Sequence, residues 1–131
     1  MPSTIFVVDD EKNIRRTVRM VLEGEGFSVE EASSGEEALA RLPEVGADVM
    51  LLDVQLPGIS GLDTIERISK LKNPEAQPTI IMISGHATLA DAVRATKAGA
   101  YDLIEKPLDR ERLMVALRNA CLLYTSDAAD E

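Results

Sequence analysis

Three short apolar runs in this chain are too continuous to be half-exposed strands, and each ends on a polar residue. Thr4-Ile5-Phe6-Val7-Val8 runs into Asp9-Asp10, Val49-Met50-Leu51-Leu52 into Asp53, and Ile80-Ile81-Met82-Ile83 into Ser84-Gly85. Four or five apolar residues rich in β-branched types fit a strand and fall short of a buried helix. Unbroken apolar character means burial on both faces, which is the mark of a parallel sheet covered on two sides. Tyr101 to Ile104 is a weaker run of the same kind, ending in Glu105-Lys106-Pro107, and Phe27-Ser28-Val29 alternates like an edge strand.

Helical spacing fills the gaps. Ile14, Val18, Val21 and Leu22 share one face of a segment over residues 11–23. Ser34 and Glu37 have capping-box spacing ahead of Ala38, Leu39 and Leu42. Ser60 and Asp63 open a helix carrying Leu62, Ile65, Ile68 and Leu71, and residues 72–78 read as loop. Thr88 and Asp91 open a helix over about residues 89–98 that Gly99 stops. Asp109 caps the last helix, with Leu108 and Leu113 at staple positions. Five strand–helix units joined by right-handed crossovers predict an α/β fold, a parallel sheet between two helix layers.

The bulk numbers narrow the function. A chain of 131 residues fits one domain. With 45% apolar residues and only 3% aromatic, its core must be aliphatic. A net charge of -9 and the lack of a basic stripe argue against direct nucleic-acid binding by this segment. The single Cys121 suits a reducing compartment. Met1-Pro2-Ser3-Thr4 lacks a signal-peptide plan, and no apolar run approaches membrane-span length, so the expectation is a cytoplasmic protein without a membrane partner.

Ligands of open parallel sheets bind at the carboxyl ends of the strands. Asp9, Asp10, Asp53, Ser84 and Lys106 all fall there. Three neighbouring carboxylates stay ionised only if a cation compensates them. Hard oxygen donors select Mg²⁺, which also binds phosphate oxygens, with Mn²⁺ as the alternative ion. A metal, a lysine, a hydroxyl and a nucleophilic carboxylate are the parts of a phosphoryl-transfer site. No Gly-rich phosphate loop is present, which counts against a nucleotide donor.

Val7-Val8-Asp9-Asp10-Glu11, Leu51-Leu52-Asp53 with Leu56-Pro57 and Gly61, Ser84-Gly85, and Lys106-Pro107 together resemble the signature set of response-regulator receiver domains of two-component systems. The likeness spans about residues 4–120. It implies a flavodoxin-like (βα)5 doubly wound sheet with strand order 2-1-3-4-5. It also implies roles: Asp53 as phosphoacceptor, Asp10 as direct Mg²⁺ ligand, Asp9 as ligand through water, and the Gln55 backbone carbonyl as a further ligand. Ser84 matches the hydroxyl that bonds the phosphoryl group, Lys106 the lysine that pairs with it, and Pro107 a proline after a cis bond. The implied partner is a sensor histidine kinase, and the implied switching face is helix 4, strand 5 and helix 5, through which a homodimer is the further expectation. Such a domain catalyses only its own phosphorylation and dephosphorylation, and is not otherwise an enzyme.

Gly99-Ala100-Tyr101-Asp102-Leu103-Ile104-Glu105-Lys106-Pro107-Leu108 looks most like the N-terminal receivers of NtrC-type enhancer-binding activators, which implies transcription control through an ATPase and a DNA-binding domain not in this chain. One departure is Leu103, where many receivers carry Tyr or Phe, so an aromatic flip coupled to Ser84 is not expected. Tyr101 is the nearest aromatic. His86 reads as a loop residue, and Arg15, Arg16 and Arg19 as a solvated basic face of helix 1. Residues 121–131 resemble a translated transposase sequencing adapter, so the expected domain is 1–120 followed by a non-native or linker tail. The competing reading is a phosphorylation-independent interaction module. An aspartyl phosphatase is disfavoured because Asp53-Val54-Gln55 lacks a second acid, and a flavin protein because Asp9-Asp10 would repel a phosphate.

Overall fold

The computed structural model describes residues 3–71 and 77–129, with side chains described as far as Cys121. The expected loop over residues 72–78 lies mostly outside the described part. Ten elements alternate: β1 (Thr4–Val8), α1 (Lys12–Gly24), β2 (Ser28–Ala32), α2 (Gly35–Val45), β3 (Val49–Asp53), α3 (Gly61–Ser69), β4 (Thr79–Ser84), α4 (Leu89–Lys97), β5 (Asp102–Glu105) and α5 (Arg110–Ala129). All pairings are parallel, in the order β2-β1-β3-β4-β5. This is the predicted doubly wound sheet.

The two-residue period of the strands sorts their side chains into two cores. Ile5, Val7, Val49, Leu51, Ile81 and Ile83 face α1 and α5, where they meet Val18, Leu22, Leu113 and Leu117. Phe6, Val8, Met50, Leu52, Ile80 and Met82 face the other way, onto Ala38, Leu42, Leu62, Ile65 and Ala95 of α2, α3 and α4. Burial of a large aliphatic side chain is worth about 1.5–3 kcal/mol, so the central strands supply both layers with their main cohesion.

Helix starts follow the sequence closely. Ser60 and Asp63 form a complete capping box, as do Thr88 and Asp91. Ser34 caps α2 by accepting from the Glu37 N–H at 3.0 Å, but the Glu37 carboxylate reaches past it to the N–H and hydroxyl of Ser33. Leu108 and Leu113 share the α1/α5 core, as the staple spacing predicts. Two strands differ from expectation. β2 starts one residue later than Phe27 and runs on through Glu30 and Glu31 to Ala32. β5 starts at Asp102, which leaves Tyr101 outside it and 40% exposed. The helical backbone of α5 continues across the boundary expected at residue 120. Among the described residues, no helix is long and apolar enough to cross a membrane.

Candidate functional site

The direction of winding reverses between β1 and β3, which opens a crevice at their carboxyl ends. Asp9 follows β1 and Asp53 closes β3. Asp53 continues the Val49 and Leu51 side of its strand, toward α1 and α5. Both acids are buried, at 4% and 3% exposure, while Asp10 stands in solvent. Carboxylate oxygens of Asp9, Asp10 and Asp53 lie within 4.8 Å of one another.

Backbone donors fix the buried acids. Asp9 Oδ1 accepts from the Glu11 N–H at 2.9 Å, and Asp53 Oδ1 from the Gln55 N–H at 3.0 Å. Lys106 Nζ supplies the charge from the far side, 2.8 Å from Asp53 Oδ2 and 3.1 Å from Asp9 Oδ2. Its backbone is anchored too, since the Lys106 N–H donates to the Ser84 carbonyl at 2.7 Å. The Lys106–Pro107 peptide is cis. Ser84 is fully buried at the end of β4, and its Oγ accepts from the His86 N–H at 3.0 Å. His86 therefore enters the site through its backbone, with its side chain exposed as a loop residue's would be.

Gly61 explains part of the motif after Asp53. A Cβ there would lie 1.9 Å from the Asp53 carbonyl oxygen, so the loop can fold back onto the end of β3 only with glycine. That return is closed by the Gly61 N–H donating to the Val54 carbonyl at 2.8 Å.

Two acids sharing one ammonium produce an asymmetric balance. Burial raises the Asp53 carboxyl above its ordinary range, with help from the charge of Asp9, and the bonds from Lys106 and Gln55 offset this only in part. Burial alone would lower the Lys106 ammonium, but its bonds to Asp53 and Asp9 outweigh that and hold it above its usual value. Three carboxyl groups face one ammonium, so the donors outnumber the lysine that pairs with them. An all-oxygen donor set of this charge and spacing fits a hard divalent cation.

The sequence placed Asp9, Asp10, Asp53, Ser84 and Lys106 at one edge of the sheet, and the structure brings the three acids and the lysine together. It also corrects the reading of the basic face. Arg15 is largely buried, donating to the Asp9 carbonyl at 2.6 Å and pairing with Glu31 at 3.1 Å. Arg19 pairs with Glu31 and Glu23 at 2.7 and 3.1 Å. Arg16 is exposed, and Arg19 keeps 42% of its side chain in solvent, so of the three only Arg15 is withdrawn from the solvated face. Nothing in the spacing of α1 pointed to Glu31, because the contact exists only once β1 and β2 are paired.

A parallel α/β sheet thus carries a carboxylate cluster and a lysine at its switch point. Residues 5–118 match the sequence model of the response regulator receiver domain, and the chain belongs to that family. It is 39% identical over 120 residues to the nitrogen assimilation regulatory protein NtrX of Azorhizobium caulinodans, covering 92% of this chain and 26% of that protein. It is 35% identical over 117 residues to the C4-dicarboxylate transport transcriptional regulatory protein DctD of Rhizobium meliloti, covering 89% of this chain and 25% of that protein. The chain thus spans about a quarter of the length of these two relatives. Among solved structures, a CheY-like receiver domain protein from Methanospirillum hungatei superposes with a TM-score of 0.84 at 30% identity, over 91% of this chain and 93% of that one.

Proposed function

We propose that this receiver domain takes a phosphoryl group from a phosphohistidine of a sensor kinase onto Asp53. The observation that carries the reading is the shared lysine: Lys106 Nζ bridges Asp53 and Asp9 at 2.8 and 3.1 Å inside a buried acid cluster. Asp9, Asp10 and Asp53, with the backbone carbonyl of Gln55, would hold Mg²⁺. When bound, the ion neutralises the acids and the incoming phosphoryl oxygens.

The carboxylate of Asp53 attacks phosphorus in line; the P–N bond breaks as the O–P bond forms, and the imidazole leaves carrying a proton. Lys106 then follows the charge from the carboxylate to the phosphoryl oxygens. The Ser84 hydroxyl, which accepts from His86, keeps its own proton to donate to one of those oxygens. Hydrolysis later returns Asp53 to its starting state. The domain thus acts on itself and not as a general enzyme.

The response would run through α4, β5 and α5. In α4 only Ala95 is buried, while Leu89 is 82% exposed, so this helix is held by little apolar contact. Leu103 is partly buried against the α2/α3/α4 core, so the coupling would pass through the β4–α4 loop and not through a ring flip. Leu89, Val93 and Tyr101 give that face the exposed apolar area a homodimer would cover. We read the output as transcription control in the cytoplasm, exerted through an effector outside this chain, and residues 121–131 as a tail to the 1–120 domain.

Incubation with acetyl phosphate and Mg²⁺, followed by intact mass measurement, tests the reading. One added phosphate is expected in the wild type and none in Asp53→Asn. A wild type that stays unmodified beside a labelled control receiver would favour a phosphorylation-independent interaction module.

A further inference from the structure

We infer that Arg15 is a positioning residue of the metal-binding loop, holding Asp10 in place through the backbone of Asp9. The inference deepens the Mg²⁺ reading above and rests on it.

Asp9 and Asp53 have partners that hold their carboxylates: Lys106, and the N–H groups of Glu11 and Gln55. Asp10 is exposed, and no described residue bonds its carboxylate. Its position depends on the backbone that carries it. The peptide between Asp9 and Asp10 is fixed on its oxygen side by Arg15, whose Nη1 donates to the Asp9 carbonyl at 2.6 Å. On the other side of Asp9, its own N–H reaches the Ala32 carbonyl at 3.2 Å, which continues the β1–β2 ladder. The guanidinium is anchored in turn. Arg15 Nε binds Glu31 Oε1 at 3.1 Å, and Glu31 Oε2 is held by Arg19 at 2.7 Å. The Arg15 side chain is only 15% exposed, so this fork is locked by packing. Glu31 is kept ionised by these arginines, its carboxyl lying below the ordinary range chiefly through the Arg19 bond.

Arg15 is also a positive charge beside a site proposed to take a cation. As a charge alone it would weaken Mg²⁺ binding, and its removal would strengthen it. As a positioning group its removal should do the opposite. The two roles thus predict changes of opposite sign.

The test is calorimetric titration of the full chain with Mg²⁺ for the wild type, Arg15→Met and Arg15→Lys, at a temperature where each is folded by circular dichroism. Loss of an outer partner of a metal ligand typically costs about 10-fold or more in affinity, and that weakening is expected for Arg15→Met. Arg15→Lys keeps the charge but lacks the planar fork that spans the Asp9 carbonyl and Glu31, so it too should bind more weakly than wild type. In the metal-free state, amide exchange at Asp10 and Glu11 should be faster in both variants. Equal or tighter Mg²⁺ binding by both variants, with unchanged exchange at those amides, overturns the inference. Should Arg15→Met fail to fold, Arg15→Lys decides by the same two readouts. A wild type that takes up no Mg²⁺ removes the underlying metal reading instead, which separates the two failures.

Discussion

At two of the places in this molecule where two carboxylates share one cation, the outcomes are opposite. Lys106 lies between Asp53 and Asp9 at the carboxyl edge of the sheet, at 2.8 and 3.1 Å. Arg94 on α4 lies between Asp63 and Glu66 on α3, at 2.8 and 2.7 Å. The distances are alike. Yet the Asp53 carboxyl is raised, whereas Asp63 and Glu66 are lowered, chiefly by their bonds to Arg94. The difference is solvent. Asp53 has lost nearly all its water, and one ammonium shared with Asp9 does not replace it. Asp63 and Glu66 keep their hydration and gain a forked guanidinium as well. Geometry alone therefore does not distinguish a strained acid site from a surface ion pair; burial does.

The largest effect expected from this contrast is at Lys106. Lys106→Met leaves Asp9 and Asp53 buried with no counter-charge. Breaking a buried pair in this way costs about 3 kcal/mol, to be read from urea unfolding of the metal-free protein at pH 7. Addition of Mg²⁺ should recover part of the loss by binding only the folded state. A Lys106→Met protein as stable as wild type would show that water already reaches the acids, and the comparison would fail.

Asp53→Asn should act in the other direction. Because the folded-state pKa of Asp53 lies above its unfolded value, the folded protein binds that proton more tightly. The ionised group therefore costs stability at pH values above the folded pKa, and the cost disappears below the unfolded one. The metal-free Asp53→Asn variant is expected to melt at a higher temperature than wild type at pH 7, with the gain shrinking as the pH is lowered to the range where Asp53 protonates. A gain that does not change with pH would trace to packing and not to charge.

How far the sequence alone reaches follows the same division between local and spatial information. Asp9, Asp53, Ser84 and Lys106 were legible because each follows an apolar run, and a parallel sheet collects strand ends. The helix starts at Ser60 and Thr88 were legible because capping is a local interaction. The alternation that marks β2 in the sequence breaks at Glu30-Glu31, short of the strand's end at Ala32. Both glutamates belong to an edge strand, where Glu30 pairs with Arg41 and Glu31 with Arg15 and Arg19. The burial of Arg15 is hidden from the sequence for the same reason. A helix face carrying three arginines looks solvated until the edge strand beside it supplies Glu31, which binds two of them, and the end of β1 supplies the Asp9 carbonyl that binds Arg15. Gly61 stood out in the motif, but its reason, contact with the Asp53 carbonyl, is three-dimensional.

The smallest effect belongs to the surface cluster. Arg94→Ala removes a cation that binds α4 to α3 across solvent. Exposed pairs of this kind contribute little and are screened by salt. A slight drop in melting temperature is expected at low ionic strength and none at about 1 M salt, where the screening length is about 3 Å. The pH sign is the reverse of that at Asp53. Asp63 and Glu66 have lowered folded pKa values, so their contribution is present above the ordinary carboxylate range and is lost as the pH falls through the folded values. The wild-type and Arg94→Ala melting curves should therefore converge on acidification. If the difference instead survives both acid and high salt, the guanidinium holds α4 to α3 through its packed stem, and α4 is tied more firmly than its single buried alanine implies.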